Sequence, residues 1–241
     1  MSTSSVTGMK GLFWKLELAP EKLPASAHYI WLVDADMAVD QFALRLAIEE
    51  IDAANASLAQ PRIGPYHHAR GRMTDWPLLR ASYSGAKWPR NCLAAAMKYV
   101  EVQTPIFRRA AWDMVHRTLL TTAPSSLLAQ TIWGISELWC PLLENRSSHR
   151  PVCAVLRSSI LHMDTHLIER SAGMMDLRNV SKNLWRARRV WRFDKGFAYW
   201  SKAFRNLSID KGDEFHRKDY SCLARRTRTS GGGGVRMKRV S

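Results

Sequence analysis

The chain has 241 residues, 46% of them hydrophobic and ten of them tryptophan, which suits one sizeable globular domain and argues against general disorder. No run of about 18 apolar residues occurs, so no membrane span is expected, and the opening Met1-Ser2-Thr3-Ser4-Ser5-Val6-Thr7 lacks the pattern of a secretory signal. The net charge of +15 is concentrated: residues 171–241 hold 18 Lys and Arg against 6 Asp and Glu, while residues 1–170 hold 18 against 15, so a polyanion contact is expected of the C-terminal segment alone.

Residues 1–10 read as a flexible N-terminus. Leu12, Phe13, Leu16 and Leu18 suggest a short helix stopped near Pro20 and Pro24. Residues 28–34 read as a buried strand. Asp40 to Ala54 carries Phe42, Leu44, Leu46, Ile48 and Ile51 among acidic residues, the pattern of an amphipathic helix with Asp40 as its N-cap. Ser57 to Ile63 is extended. Residues 64–92 are a long loop with a weak strand or two, and Tyr99 to Gln103 is a candidate strand. Phe107 to Leu120 is helical, residues 121–126 turn, and Ser136 to Leu143 is a short helix after Trp133-Gly134. Val152 to Leu161 is a strand, followed by His162. Val180 to Phe204 reads as one or two basic, aromatic-rich helices within an extension over 171–215. Residues 216–241, with Gly231-Gly232-Gly233-Gly234, read as a disordered basic tail. Cys92, Cys140, Cys153 and Cys222 are scattered, with no C-x-x-C. Free, mostly buried thiols in a reducing compartment are expected, and a cytoplasmic location by default.

Alternating strands and helices predict an α/β domain over 11–170 with a partly parallel sheet. In such sheets ligands bind beyond the carboxyl ends of the strands. Asp34, Asp36 and His162 all fall there. Two carboxylates spaced i and i+2 at a strand end make a hard-oxygen site for Mg²⁺ or Mn²⁺, and an ion held there can clamp a diphosphate. The same aspartates also suit the start of a turn or helix.

Several short motifs then stand in a recognisable order: Tyr29-Ile30-Trp31-Leu32-Val33-Asp34-Ala35-Asp36, Ala59-Gln60-Pro61, Val100 to Trp112, Trp133-Gly134-Ile135-Ser136-Glu137-Leu138-Trp139, and His162. In these the chain resembles a family of uncharacterised GT-A-like, glycosyltransferase-like proteins, whose plant members are labelled lysine-ketoglutarate reductase trans-splicing related. The resemblance spans about residues 10–170. It implies a GT-A-like (nucleotide-diphospho-sugar transferase) α/β/α sandwich with a mixed, mainly parallel sheet. It implies a nucleotide-sugar donor and an unknown acceptor, with a metal held by Asp34, Asp36 and His162. Glu101 would line the sugar or acceptor side. Glu137, then Glu101, are the candidates for a general base, and Trp133, Gly134 and Trp139 for substrate contact.

Three features depart from the family pattern. Ser136 stands where an acid is usual, with Glu137 displaced by one position. Arg157 stands where an Asp precedes the histidine. About 28 residues precede the first strand, where the family has further strand–helix units. An N-terminally truncated or catalytically inactive member of the fold is therefore an alternative expectation, and a polyanion binder acting through the basic segment is another. His67, His68, Arg70 and Arg72 are weaker candidates for phosphate contact. His162 and His166 lack the Glu of a zinc protease motif, because Met163 stands there.

Overall fold

The computed structural model describes residues 10–64, 88, 91–130, 132, 134–146, 152–162, 199–200, 202–203, 222–228 and 235–239. In chain order the elements are α1 (Lys10–Glu17), β1 (Tyr29–Trp31), α2 (Leu44–Ala54), β2 (Leu58–Gly64), β3 (Cys92–Ala96), β4 (Ile106–Arg108), α3 (Arg109–Val115), a π-helical turn (His116–Leu120), α4 (Ser125–Leu128), α5 (Ser136–Arg146), β5 (Cys153–Leu161), β6 (Cys222–Arg228) and β7 (Val235–Arg239). The strands form one sheet in the order β1-β4-β2-β5-β3-β6-β7.

The class is α/β with a mixed sheet, but the sheet is not mainly parallel. Among the described residues only β2 and β5 pair in parallel, and the other five pairings are antiparallel. The reason is insertion. β4 enters between β1 and β2 and runs against both, and β3 flanks β5 in the opposite sense. Alternation of helices and strands along a chain carries no record of such insertions.

Successive residues of a strand face opposite sides, and the core divides accordingly. Leu58, Phe107 and Cys153 join Trp14, Trp112, Leu138 and Trp139 on one face of the sheet. Ala59, Ile106 and Ala154 join Ala47, Ile51 and Ala54 of α2 on the other. The buried positions of α2 recur at helical spacing. The helix ends at Asn55, whose φ of 52° is left-handed. The Asn55 N–H meets the Asp52 carbonyl and the Ala56 N–H meets that of Ile51, a Schellman ending. Asp40 is not its cap: it lies in a 3-10 turn (Val39–Gln41), and the residue before α2 is Ala43.

Pro61 sits inside β2, where it has no N–H to give. The register against β5 shifts between Gln60 and Arg62, the irregularity a proline in a central strand requires. No strand forms over Tyr99–Gln103; the strand of this region is β3, Cys92–Ala96, whose short apolar side chains fit a strand buried between neighbours.

Two further expectations are corrected. Residues 222–228 and 235–239, read from composition as part of a disordered tail, form paired strands that extend the sheet from β3. The cysteines are not free. Cys92 is bonded to Cys222 and Cys140 to Cys153, with Cα separations of 5.7 and 5.8 Å, inside the range a disulfide spans. The first bridge ties β3 to β6 and the second ties α5 to the start of β5. No helix among the described residues is long and apolar enough to cross a membrane. Residues 1–9, residues 65–87 with their histidines, Trp133, His166 and most of 171–215 lie outside the described residues.

Candidate active site

β1 runs antiparallel to β4, and β4 antiparallel to β2, so β1, β2 and β5 point the same way. Their carboxyl ends therefore share one edge of the domain. The chain leaving β1 continues this pairing: the Leu32 N–H donates to the Pro105 carbonyl and the Asp34 N–H to that of Gln103, at 3.0 and 2.9 Å. It then turns. The Met37 N–H reaches the Asp34 carbonyl, Met37 bridges to His162, and the Ala38 N–H donates to Leu161. The turn and the site are one feature, because the turn is what carries Asp36 to the end of β5.

The sequence-predicted ligands are brought to this edge in two groups. His162 Nε2 lies 3.0 Å from Asp36 Oδ2. The other oxygen, Asp36 Oδ1, is buried with no hydrogen-bond partner. Asp34 turns to Lys10, whose Nζ is 2.6 Å from Asp34 Oδ1 and 3.2 Å from the Val102 carbonyl. Burial pushes the Asp34 carboxyl up from its ordinary range, and the Lys10 ammonium only partly offsets this. Among the described residues, no three His, Cys, Asp or Glu side chains form a group that could hold an ion as they stand. The donor set still suits a hard divalent cation: two carboxylates, one of them with an orphaned buried oxygen, and an imidazole on the same edge.

Glu101 faces the same region from the segment between β3 and β4. Its backbone N–H donates to Oε1 of Gln60, a wholly buried residue of β2. Tyr99 Oη donates to Glu101 Oε2 at 3.2 Å, and Ser136 Oγ donates to Tyr99 Oη at 3.3 Å. Burial pushes the Glu101 carboxyl up to about 7, against the smaller opposing effects of the Tyr99 hydrogen bond and Lys10. The Tyr99 phenol is raised too, by burial first and then by the Glu101 charge. Ser136 thus anchors the tyrosine that holds Glu101. Glu137, half-buried in the first turn of α5, raises the Tyr99 phenol by its charge.

The remaining predicted contacts separate. Gly134 is buried with φ 88°, a backbone conformation that glycine adopts without strain, and it makes the turn into α5. Trp139 is wholly buried, with Phe107 edge-on at 5.2 Å and Trp14 at 6.2 Å between ring centroids. It is a core residue, and no ring face is left for a sugar. Lys10, Gln60, Tyr99 and Ser136 were missed as site residues by sequence reasoning. Gln60 carried a signal, as a polar residue flanked by Ala59 and Pro61 in a buried strand. Lys10 carried none, since only the docking of α1 brings it to Asp34. Compared with protein-family models, with curated proteins and with solved structures, the chain has no match in any of the three.

Proposed function

We propose that this chain is a metal-dependent glycosyltransferase-like protein, moving a sugar from a nucleotide-diphosphate donor to an acceptor hydroxyl. One observation carries the reading. Asp34, Asp36 and His162 lie at the carboxyl ends of codirectional strands, and Asp36 keeps a buried oxygen without a partner. In open α/β sheets this is where nucleotide ligands bind. Mn²⁺ or Mg²⁺ held by Asp34, Asp36 and His162 would neutralise charge on the departing diphosphate, and an imidazole among carboxylates favours Mn²⁺. Glu101 takes the acceptor proton, because a carboxyl poised near pH 7 is matched to general-base work. Tyr99 fixes its orientation, and Glu137 is the neighbouring carboxylate that would serve if Glu101 did not.

The test is thermal unfolding of the whole chain against a panel of nucleoside diphosphates, with and without Mn²⁺. A rise in midpoint that needs metal, nucleotide and both aspartates is expected, since a ligand stabilises the state it binds. A well-folded chain with no shift, or a shift surviving Asp34→Asn/Asp36→Asn, would remove the reading. The second reading is a member of the fold that has lost the chemistry. The Lys10–Asp34 ion pair and Ser136 in place of an acid favour it, and it predicts the unshifted result.

A further inference from the structure

The Lys10 ammonium stands where a cation bound to Asp34 would stand. It is held on three sides: by Asp34 Oδ1 at 2.6 Å, by the Val102 carbonyl at 3.2 Å, and by the Trp14 ring with its centroid at 5.6 Å. The lysine is the first residue of α1, and α1 is docked closely. Trp14 is 4% exposed, and a Cβ placed on Gly11 would come within 2.5 Å of Ile132 Cγ2. Backbone packing at the adjacent residue therefore fixes where Lys10 emerges. The carbonyl and the ring have no use for a diphosphate, and together with Asp34 they make a seat for a single positive charge. An ammonium and a divalent ion cannot share Asp34 Oδ1 at contact distance, since like charges repel strongly in a partly buried site.

We infer that Lys10 is a built-in cation that holds Asp34 when no metal is bound, so that a divalent ion gains Oδ1 of Asp34 only by displacing it. This rests on the metal-dependent reading above. It accounts for the separation of the predicted ligands into Asp36 with His162 and Asp34 with Lys10. Metal affinity is then set by the first turn of α1 as well as by the ligands. The displaced ammonium would stay tethered beside the site, within reach of the negative charge of a diphosphate.

The experiment is Mn²⁺ binding to the full chain, read by calorimetry and by the loss of the free-ion electron paramagnetic resonance signal. It compares the wild type with Lys10→Met, Lys10→Gln, Lys10→Arg and Asp34→Asn. Lys10→Met and Lys10→Gln should each bind Mn²⁺ roughly tenfold more tightly than wild type, the effect of removing one competing ion pair in a partly buried site. Lys10→Arg keeps the charge and should bind like wild type. Asp34→Asn should bind more weakly. If both neutral variants bind Mn²⁺ no better than the wild type while Asp34→Asn weakens it, the Lys10 proposal fails and the metal site stands. If no variant binds Mn²⁺, the metal reading fails and this inference with it. Near-ultraviolet circular dichroism identifies a variant that has lost its fold. The two neutral replacements differ in polarity, so agreement between them excludes a packing effect at one of them.

Discussion

The two disulfides make a prediction whose size follows from topology. Cys92 and Cys222 are 130 residues apart in sequence, and Cys140 and Cys153 are 13 apart. A cross-link removes conformational freedom from the unfolded chain in proportion to the logarithm of the loop it closes. The loop-closure relation gives about 5 kcal/mol for the long loop and about 3 kcal/mol for the short one. Replacing the cysteines also leaves small cavities, since Cys92, Cys140 and Cys153 are wholly buried. The comparison should therefore be made within each variant. In Cys92→Ala/Cys222→Ala, adding a reductant breaks only the Cys140–Cys153 bridge. In Cys140→Ala/Cys153→Ala it breaks only the other. The drop in unfolding free energy on reduction, followed by tryptophan fluorescence in guanidinium chloride, should be larger in the second variant by about 2 kcal/mol. Equal drops, or the reverse order, would refute the loop argument. If the untreated wild type, once denatured, exposes four reactive thiols, neither bridge forms in the first place.

The other predictions concern single residues. Glu101 has a folded-state pKa of about 7 against an ordinary 4.5, so the folded chain binds this proton more tightly than the unfolded chain does. Its ionisation costs nothing below the unfolded value, costs progressively more from about pH 4.5 to about pH 7, and reaches about 3 kcal/mol above that. Urea titrations should find stability falling over this window in the wild type, and Glu101→Gln should flatten the fall. A wild type that gains stability over the same window would contradict the assignment. Gly134→Ala forces a side chain onto φ 88° and should cost about 1–2 kcal/mol in chemical denaturation. Trp139→Ala should cost about 3–5 kcal/mol by opening the core between Phe107 and Trp14. If it instead left the denaturation curve unchanged and weakened only ligand binding, its place as a core residue would be wrong.

Residue pattern alone sufficed for β1, β2, α2 and β5, because a short apolar or β-branched run bounded by turn residues marks a buried strand and periodicity 3.6 marks the buried face of a helix. It also sufficed to place Asp34, Asp36 and His162 at strand ends, since a strand end is a local property. Everything that depends on which segments meet was decided by the tertiary structure. β4 is three residues long, too short to show a period, yet it separates β1 from β2 and makes the sheet mostly antiparallel. The bond between Cys92 and Cys222 required two strands to be laid side by side before a Cα separation of 5.7 Å existed. The hairpin of β6 and β7 reads as a loose basic tail until the edge of β3 gives it hydrogen-bond partners. Trp139 could stack on a ligand or fill the core by composition alone, and the approach of Phe107 and Trp14 settled which. Lys10 is one of 36 Lys and Arg residues in the sequence. Only the close docking of α1 through Gly11 and Trp14 turned it into the counter-ion of Asp34, because an ion pair is a fact of distance and distance across the fold is not written in neighbouring residues.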